Sequence, residues 1–435
     1  MNLLYANDEK GAYPASWYAA TCEFLAPCPA VEGEKTADVC VIGAGFTGLS
    51  AALHLAKTGR LSVIVLDAQR IGFGASGRNG GQLGSGQRID QRDLLQMFGE
   101  DSARRLWELG EESKATVVSL IREHKIDCAL KPGIAHFGFH DKDMHDIHDE
   151  AEFLAKSYGY SQYHPLSEEE GQTLCPSPVY KGGGIDRGGY HLHPLRLVLG
   201  LAKAAQAAGV KIYENSEVTA VDEGAKTRVK TAKGTVICER TILACNGYLG
   251  KLNASVAGRV MPINNFIVAT EPLGDEGMRV LCEDIAVSDT KFVVNYFRKS
   301  EDGRLLFGGG ENYSYAFPKD IAATVRKPML EIFPHLKDVR IDYAWGGTLA
   351  ITMRRLPFFK KLGPSVYSAS GYSGHGVGMA ILAGKLISQA IHGDSKGFDT
   401  FAKLPTMPFP GGPRMRFPLL VLAMTWYSLR DRLGI

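Results

Sequence analysis

Gly43, Gly45 and Gly48 fall at G-x-G-x-x-G spacing, after the apolar run 39–42 and before a segment where Leu49, Ala52, Leu53 and Ala56 recur at helical intervals. Glycine has a separate use at each position. Gly43 permits a tight turn, Gly45 lets the backbone approach a pyrophosphate, and Gly48 lets helix and strand pack closely. Ala44, Phe46 and Thr47 lie between them at the helix start, where unpaired N–H groups face phosphate. A second apolar run, 62–66, ends in Asp67, where a carboxylate can hold the ribose hydroxyls of an adenosine. Ala68, Gln69 and Arg70 follow it and are grouped with it. A bare glycine turn between strand and helix would share the spacing; the strand, helix, second strand and acid together favour a dinucleotide.

Just past Asp67 comes "FGASGRNGGQLGSG", residues 73–86, in which six of fourteen positions are glycine. This composition suits backbone that lines a large ligand. Gly74, Ala75, Ser76, Asn79, Gly80, Gly81 and Gln82 supply bare backbone and short polar groups, while Arg78 could offset phosphate charge or pair structurally. The alternative is a mobile surface loop.

At 435 residues the chain is too long for one ordinary core and implies two domains. A net charge of +2 gives no electrostatic reason to expect nucleic acid. The eight cysteines form no C-x-x-C pair and lie near no histidines at zinc spacing, so no metal site is expected, and a reducing cytoplasm suits them. The N-terminus lacks the basic start and apolar stretch of a signal peptide. No run reaches the ~18 to 20 apolar residues that span a bilayer. The nearest is "RFPLLVLAMTWYSLRDRLGI", whose segment 416–432 reads either as a peripheral membrane helix or as one packed on its own protein or a second subunit; the second reading is favoured.

Five segments, in order, resemble the D-amino-acid oxidase superfamily of FAD-dependent amine oxidoreductases, which includes glycine and sarcosine oxidases. They are "VIGAGFTGLSAALHLA" with Asp67, "GASGRNGGQ", "GGYHLHPLRLVLGLAKAAQAAGVKIYENSEVTAV", "TILACNGY" and "YSASGYSGHGVGMAILAGKLI". Within that superfamily, "YPASWYAAT", "GASGRNGGQ" and "FPLLVLAMTWYSLRDRL" are similar to the bacterial gamma-glutamylputrescine oxidoreductases.

The resemblance implies an α/β fold in which a Rossmann-like FAD-binding domain is interleaved with an α+β substrate domain carrying a mostly antiparallel sheet. The FAD-binding segments would be 36–96, 181–260 and 346–400, and the substrate segments 97–180 and 261–345. An N-terminal extension, 1–35, and a tail, 401–435, complete the chain. The resemblance also implies that Val218 meets the adenine, and that Ala244, Asn246, Gly247 and Gly346 lie against the cofactor. The glycine turn and helix start at Gly374, His375, Gly376 and Val377 would face the flavin's pyrimidine edge. The stretch "WGGTLAITMRRLPFF" has no cysteine where some relatives attach flavin, so noncovalent FAD is expected. Leu305, Leu306 and Phe307 stand where some oxidases carry a lysine, which leaves oxygen or another carrier open as the electron acceptor.

On the substrate side, Tyr296 and Arg298 share one strand face. Trp345, Tyr372 and His375 are further pocket candidates, although large aromatics more often serve a core. The expected chemistry is hydride transfer from an amine-bearing carbon to flavin N5, giving an imine that hydrolyses to an aldehyde. The expected substrate is gamma-glutamylputrescine or a related polyamine derivative. A D-amino acid or N-methyl amino acid is the alternative, with Arg298, Arg354 or Arg355 as carboxylate clamp. A flavoprotein subunit without catalysis is another. No residue is assigned as catalytic acid or base.

Overall fold

The computed structural model describes residues 2–310, 314–412 and 418. The expected apolar C-terminal segment, 416–432, lies outside the described residues except for Pro418.

Period-two alternation explains the unbroken apolar runs. On the strands Gly33–Ile42 and Val63–Leu66, Val39, Val41, Val63 and Val65 enter one core, while Cys40, Ile42, Ile64 and Leu66 enter another on the opposite face. A strand buried on both faces needs apolar residues at every position. These strands sit in the middle of the first sheet, in the order Phe358–Lys361, Val366–Ser370, Gly234–Leu243, Gly33–Ile42, Val63–Leu66, Lys211–Tyr213. The interior pairings are parallel. An antiparallel hairpin, Val218–Asp222 with Thr227–Thr231, is joined to Gly234–Leu243. Helices Phe46–Ala56, Pro194–Ala207 and Gly376–Ile391 cover the valine face, and Ser50 Oγ donates to the Ile381 carbonyl at 2.6 Å between two of them.

The second sheet runs Ile341–Ile351, Met261–Pro272, Arg304–Gly308, Tyr296–Lys299, Ala286–Asp289, Lys131–Gly138, Gly182–His191, Gln82–Leu83. Its pairings are antiparallel except Ala286–Asp289 with Lys131–Gly138. Phe266, Val268, Phe297, Leu305 and Phe307 pack on the helix Ile321–Ile332, while Ile267, Ala269 and Leu306 turn to the other face, towards the first sheet. Two sheets with helices and this topology make the α/β architecture expected.

The chain crosses between sheets at points other than the expected boundaries 181 and 346. Gly182–His191 pairs with Lys131–Gly138 and Gln82–Leu83, so it belongs to the second sheet rather than to a nucleotide-binding segment. Ile341–Ile351 likewise continues along Met261–Pro272 past residue 346. The glycines of 182–189 pack against backbone and against side chains such as Met144, Ile147, Tyr160 and Ile134, and glycine itself carries no apolar alternation to be read.

Charge anchors the first sheet to the N-terminal segment. Glu214 is buried and accepts from Arg70 Nε at 3.0 Å and from the Cys28 and Ile71 N–H groups at 2.8 Å each. Removing one partner of such a pair strands the other charge away from water. Glu214→Ala is therefore expected to cost about 3 to 5 kcal/mol in urea denaturation. Glu123→Ala, which breaks the exposed pair with Lys57, should cost less than about 1 kcal/mol.

Candidate active site

A cavity of about 1770 Å³ lies between the two sheets. Sites for single drug-sized ligands run from about 300 to 1,000 Å³, so there is room here for a dinucleotide and a second small molecule.

One end is built by the first βαβ unit. Gly43 has φ +111°, and its N–H donates to the Leu66 carbonyl at 2.8 Å. A Cβ on residue 43 would lie 2.7 Å from the Ala244 carbonyl oxygen, and one on Gly48 would lie 1.8 Å from that of Gly43. The helix Phe46–Ala56 thus starts tight against the strand before it. Its N-cap, Gly45, brings no capping side chain and its first turn holds no acid, an arrangement that leaves the positive end of the helix for an anion. Phe46 N–H donates to Ser76 Oγ at 2.9 Å, which ties the second glycine loop to this helix start. Asp67 accepts from the N–H groups of Ala44 at 2.7 Å and Gln69 at 2.8 Å. Burial pushes its carboxyl up to about 6 against those two hydrogen bonds. A carboxylate has about four acceptor positions, so acceptors remain for ribose hydroxyls.

Residues 73–86 run along the cavity. Asn79 folds the loop on itself, donating to the Ala75 and Ser76 carbonyls at 3.0 Å and accepting from Gly81 N–H at 2.8 Å. Gln82 donates to the Val287 carbonyl at 2.8 Å and so joins the loop to the second sheet. Arg78 takes the structural role of the two considered: its guanidinium donates to Asp8 at 2.8 Å and to the Phe73 carbonyl at 2.6 Å. Gly74, Ala75, Gly80 and Gly81 line the cavity, as do Val218, Ala244, Asn246 and Gly247. At the far side Gly374, His375, Gly376 and Val377 line it at the start of the helix Gly376–Ile391. Burial, then the charges of Arg88 and Lys114, hold His375 down to about 4, so its ring is neutral at pH 7. Tyr372 shares a 2.7 Å hydrogen bond with Thr47 Oγ1, linking the two helix starts that face the cavity.

Cys245 is the only cysteine lining the cavity among the described residues. Burial, then the Asp67 charge, pushes its thiol up to about 12, which keeps it protonated and a poor nucleophile at neutral pH.

Several expected site residues lie outside the lining. Ala44 and Gly48 are turn and packing positions behind it. Gln69 bonds the Gly11 N–H and the Leu4 carbonyl, each at 2.6 Å, and Arg70 is taken by Glu214. The Gly346 carbonyl accepts from Arg78 at 3.2 Å, and Trp345 Nε1 donates to the Arg78 carbonyl at 3.1 Å. Tyr296 lines the cavity and its hydroxyl donates to Asn265. Arg298, on the same strand face, instead donates to the Gly80 carbonyl at 3.1 Å and the Leu192 carbonyl at 3.0 Å. It fastens the glycine loop and has no guanidinium edge left for a substrate carboxylate. Of the other two arginines considered, Arg355 reaches the lining and Arg354 does not.

Beyond His375 the cavity extends into an arm lined by Arg88, Asp90, His136, Asp146, Glu150 and Asp186. The glycine-rich stretch ends at Gly86, just before these charges. The charges in "QRIDQRD", directly after a ligand-lining loop, are the signal that was there to use, whereas Glu150 lies on the amphipathic helix Asp141–Tyr158 with nothing to single it out.

Two outcomes follow. Gly48→Ala places a methyl against backbone that cannot swing aside, so the variant should purify without the flavin absorbance of the wild type. Burial, opposed by the Gln91 N–H and reinforced by Asp90, pushes Glu150 up to about 7 from 4.5. A carboxyl raised in the folded state lowers stability as pH rises between those values. Glu150→Gln should therefore gain melting temperature relative to wild type from pH 4.5 to about 7, with a constant difference above.

The chain matches the family described as FAD dependent oxidoreductase over residues 38–390. It is 40% identical over 425 residues to gamma-glutamylputrescine oxidoreductase of Escherichia coli (strain K12), covering 97% of this chain and 99% of that one. It is 42% identical over 418 residues to the oxidoreductase OrdL of Rhizobium meliloti (strain 1021), covering 96% and 97%. Glycine oxidase from Geobacillus kaustophilus superposes with a TM-score of 0.67 at 21% identity, over 82% of this chain and 95% of that one. The glycine turn, the acid at the next strand end and the likeness along nearly the whole chain agree: the chain belongs to the FAD dependent oxidoreductase family.

Proposed function

We propose that this enzyme oxidises the C–N bond of gamma-glutamylputrescine or a closely related polyamine derivative. The observation that carries the reading is the arm beyond His375, where Asp90, Asp143, Asp146, Glu150 and Asp186 outnumber the cations Arg88 and Lys291. An arm with an acidic excess suits a substrate with ammonium groups and resists purely anionic ones. The full-length likeness to the E. coli gamma-glutamylputrescine oxidoreductase supports the same substrate class.

The cofactor fits the cradle described above. The start of Phe46–Ala56 and Ser76 would hold the pyrophosphate, Asp67 the ribose and Val218 the adenine. The start of Gly376–Ile391, with Gly374 and His375, would face the ring system. When bound, FAD supplies the acceptor for two electrons and a hydrogen from the amine-bearing carbon. The protein's own work is placement. Tyr296 and Ile267, from the second sheet, wall the cavity opposite the helix start, and neutral His375 adds a polar group without a competing positive charge. The cavity wall assigns no side chain as proton acceptor, and an amine that binds deprotonated needs none.

The test is anaerobic titration of the purified flavoprotein with gamma-glutamylputrescine, putrescine, sarcosine and D-alanine, followed by air. Bleaching is expected first and most completely with gamma-glutamylputrescine, and the rate of colour return on aeration distinguishes oxidase from dehydrogenase. Bleaching by sarcosine or D-alanine in preference would overturn the substrate assignment.

A further inference from the structure

The glycine loop orders the cavity along the chain. Ser76 meets Phe46 at the helix start that suits phosphate. A Cβ at Gly80 would meet the Tyr296 ring at 2.6 Å, and one at Gly84 would meet the His375 ring at 3.0 Å. The residues that follow therefore lie past the flavin cradle, and Arg88 is the first charged one among them.

Arg70, Arg78 and Arg298, near the cavity, are engaged by protein groups. Arg70 holds Glu214, Arg78 holds Asp8, and Arg298 holds the Gly80 and Leu192 carbonyls. Arg88 has neither a hydrogen bond nor an ion pair to any described residue, yet its side chain opens into the cavity. Protein crowds it closely enough that desolvation holds its guanidinium below the usual arginine range, with Asp90 pulling the other way. Its charge reaches the rings of His136 and His375 and depresses both. A guanidinium exposed to the cavity and left without an anion among the described residues can receive a carboxylate through two parallel N–H···O bonds. Phosphate of the cofactor is served at the opposite end, by the helix start.

The same arm carries acids that are also free to act. Asp90 and Asp146 make no side-chain hydrogen bond to a described residue, and Glu150 accepts from the Gln91 N–H at 2.7 Å. A ligand group bearing both charges would neutralise both sets at once.

We propose that Arg88, with Asp90 and Glu150, forms a recognition site for an α-amino-acid head group, its carboxylate on Arg88 and its ammonium on the two acids, at the end of the cavity beyond the flavin cradle. The proposal rests on the reading that an amine is oxidised in this cavity and adds what identifies that amine: a zwitterion at its far end. Uncapped diamines of the same length lack the carboxylate and should be poor substrates.

The test compares gamma-glutamylputrescine with N-(4-aminobutanoyl)putrescine, the same amide chain without the carboxylate, in wild type, Arg88→Met and Arg88→Lys holoenzyme of matched FAD content and melting temperature. Arg88→Met should lower kcat/KM for the first by on the order of 100-fold and for the second by less than about threefold, with Arg88→Lys between the two. Binding of gamma-glutamylbutylamide, which keeps the head group but has no terminal amine, is followed separately by perturbation of the flavin spectrum and should be lost in Arg88→Met. Equal loss on both substrates, or loss on neither, would overturn the proposal while leaving amine oxidation standing. If no amine bleaches wild-type flavin but the butylamide binds wild type and not Arg88→Met, the head-group site stands and the oxidation reading fails.

Discussion

The approach of residue 48 to the Gly43 carbonyl is the constraint on which the rest of the site depends. A single methyl there would sit 1.8 Å from a backbone oxygen, so the first helix can begin where it does only without a side chain at that position. Because it begins there, its uncapped N-terminus faces the cavity instead of solvent, and Ser76 can reach Phe46 N–H. That hydrogen bond fixes the near end of the second glycine loop. The loop's far end then falls against His375 and the start of the second cavity-facing helix.

Beyond the hydrogen bonds of Asn79 and Gln82, a loop so poor in side chains is held by charged neighbours. Arg78 ties it to Asp8 of the N-terminal segment, and Arg298 grips the Gly80 carbonyl from the second sheet. Both arginines are buried and hold the loop through fixed acceptors without placing bulk in the cavity. Bidentate, planar donors suit this better than lysine, whose ammonium is a point charge on a flexible stem. The consequence for chemistry is that the loop serves as rigid backbone wall, while recognition falls to residues beyond it.

How far the amino-acid sequence revealed this differs by physical cause. The βαβ unit was legible because burial on both sheet faces forces continuous apolar runs, and because glycine at 43, 45 and 48 has steric reasons independent of context. Asp67 followed from its place at a strand end. Arg298 was one of three arginines considered as a carboxylate clamp: a strand position two from Tyr296 shares its face, but whether a guanidinium meets ligand or loop carbonyl depends on a partner 218 residues away. Gly182–His191 was grouped with the wrong sheet because a glycine-rich strand carries no side-chain pattern to show which neighbour it pairs with. Arg88 was passed over for the opposite reason. What marks it is the absence of a partner, and that is visible only when all neighbours are in place.

On the proposed reading, one cavity holds flavin and amine side by side, with the glycine loop as their common wall. The direct measurement is a crystal structure of the FAD-bound protein with gamma-glutamylputrescine added under anaerobic conditions. The account predicts pyrophosphate density at the start of Phe46–Ala56, the ring system between the loop 73–86 and the start of Gly376–Ile391, and the amine in the arm beyond His375. A flavin ring turned away from that helix start, or an amine bound outside the cavity, would contradict it.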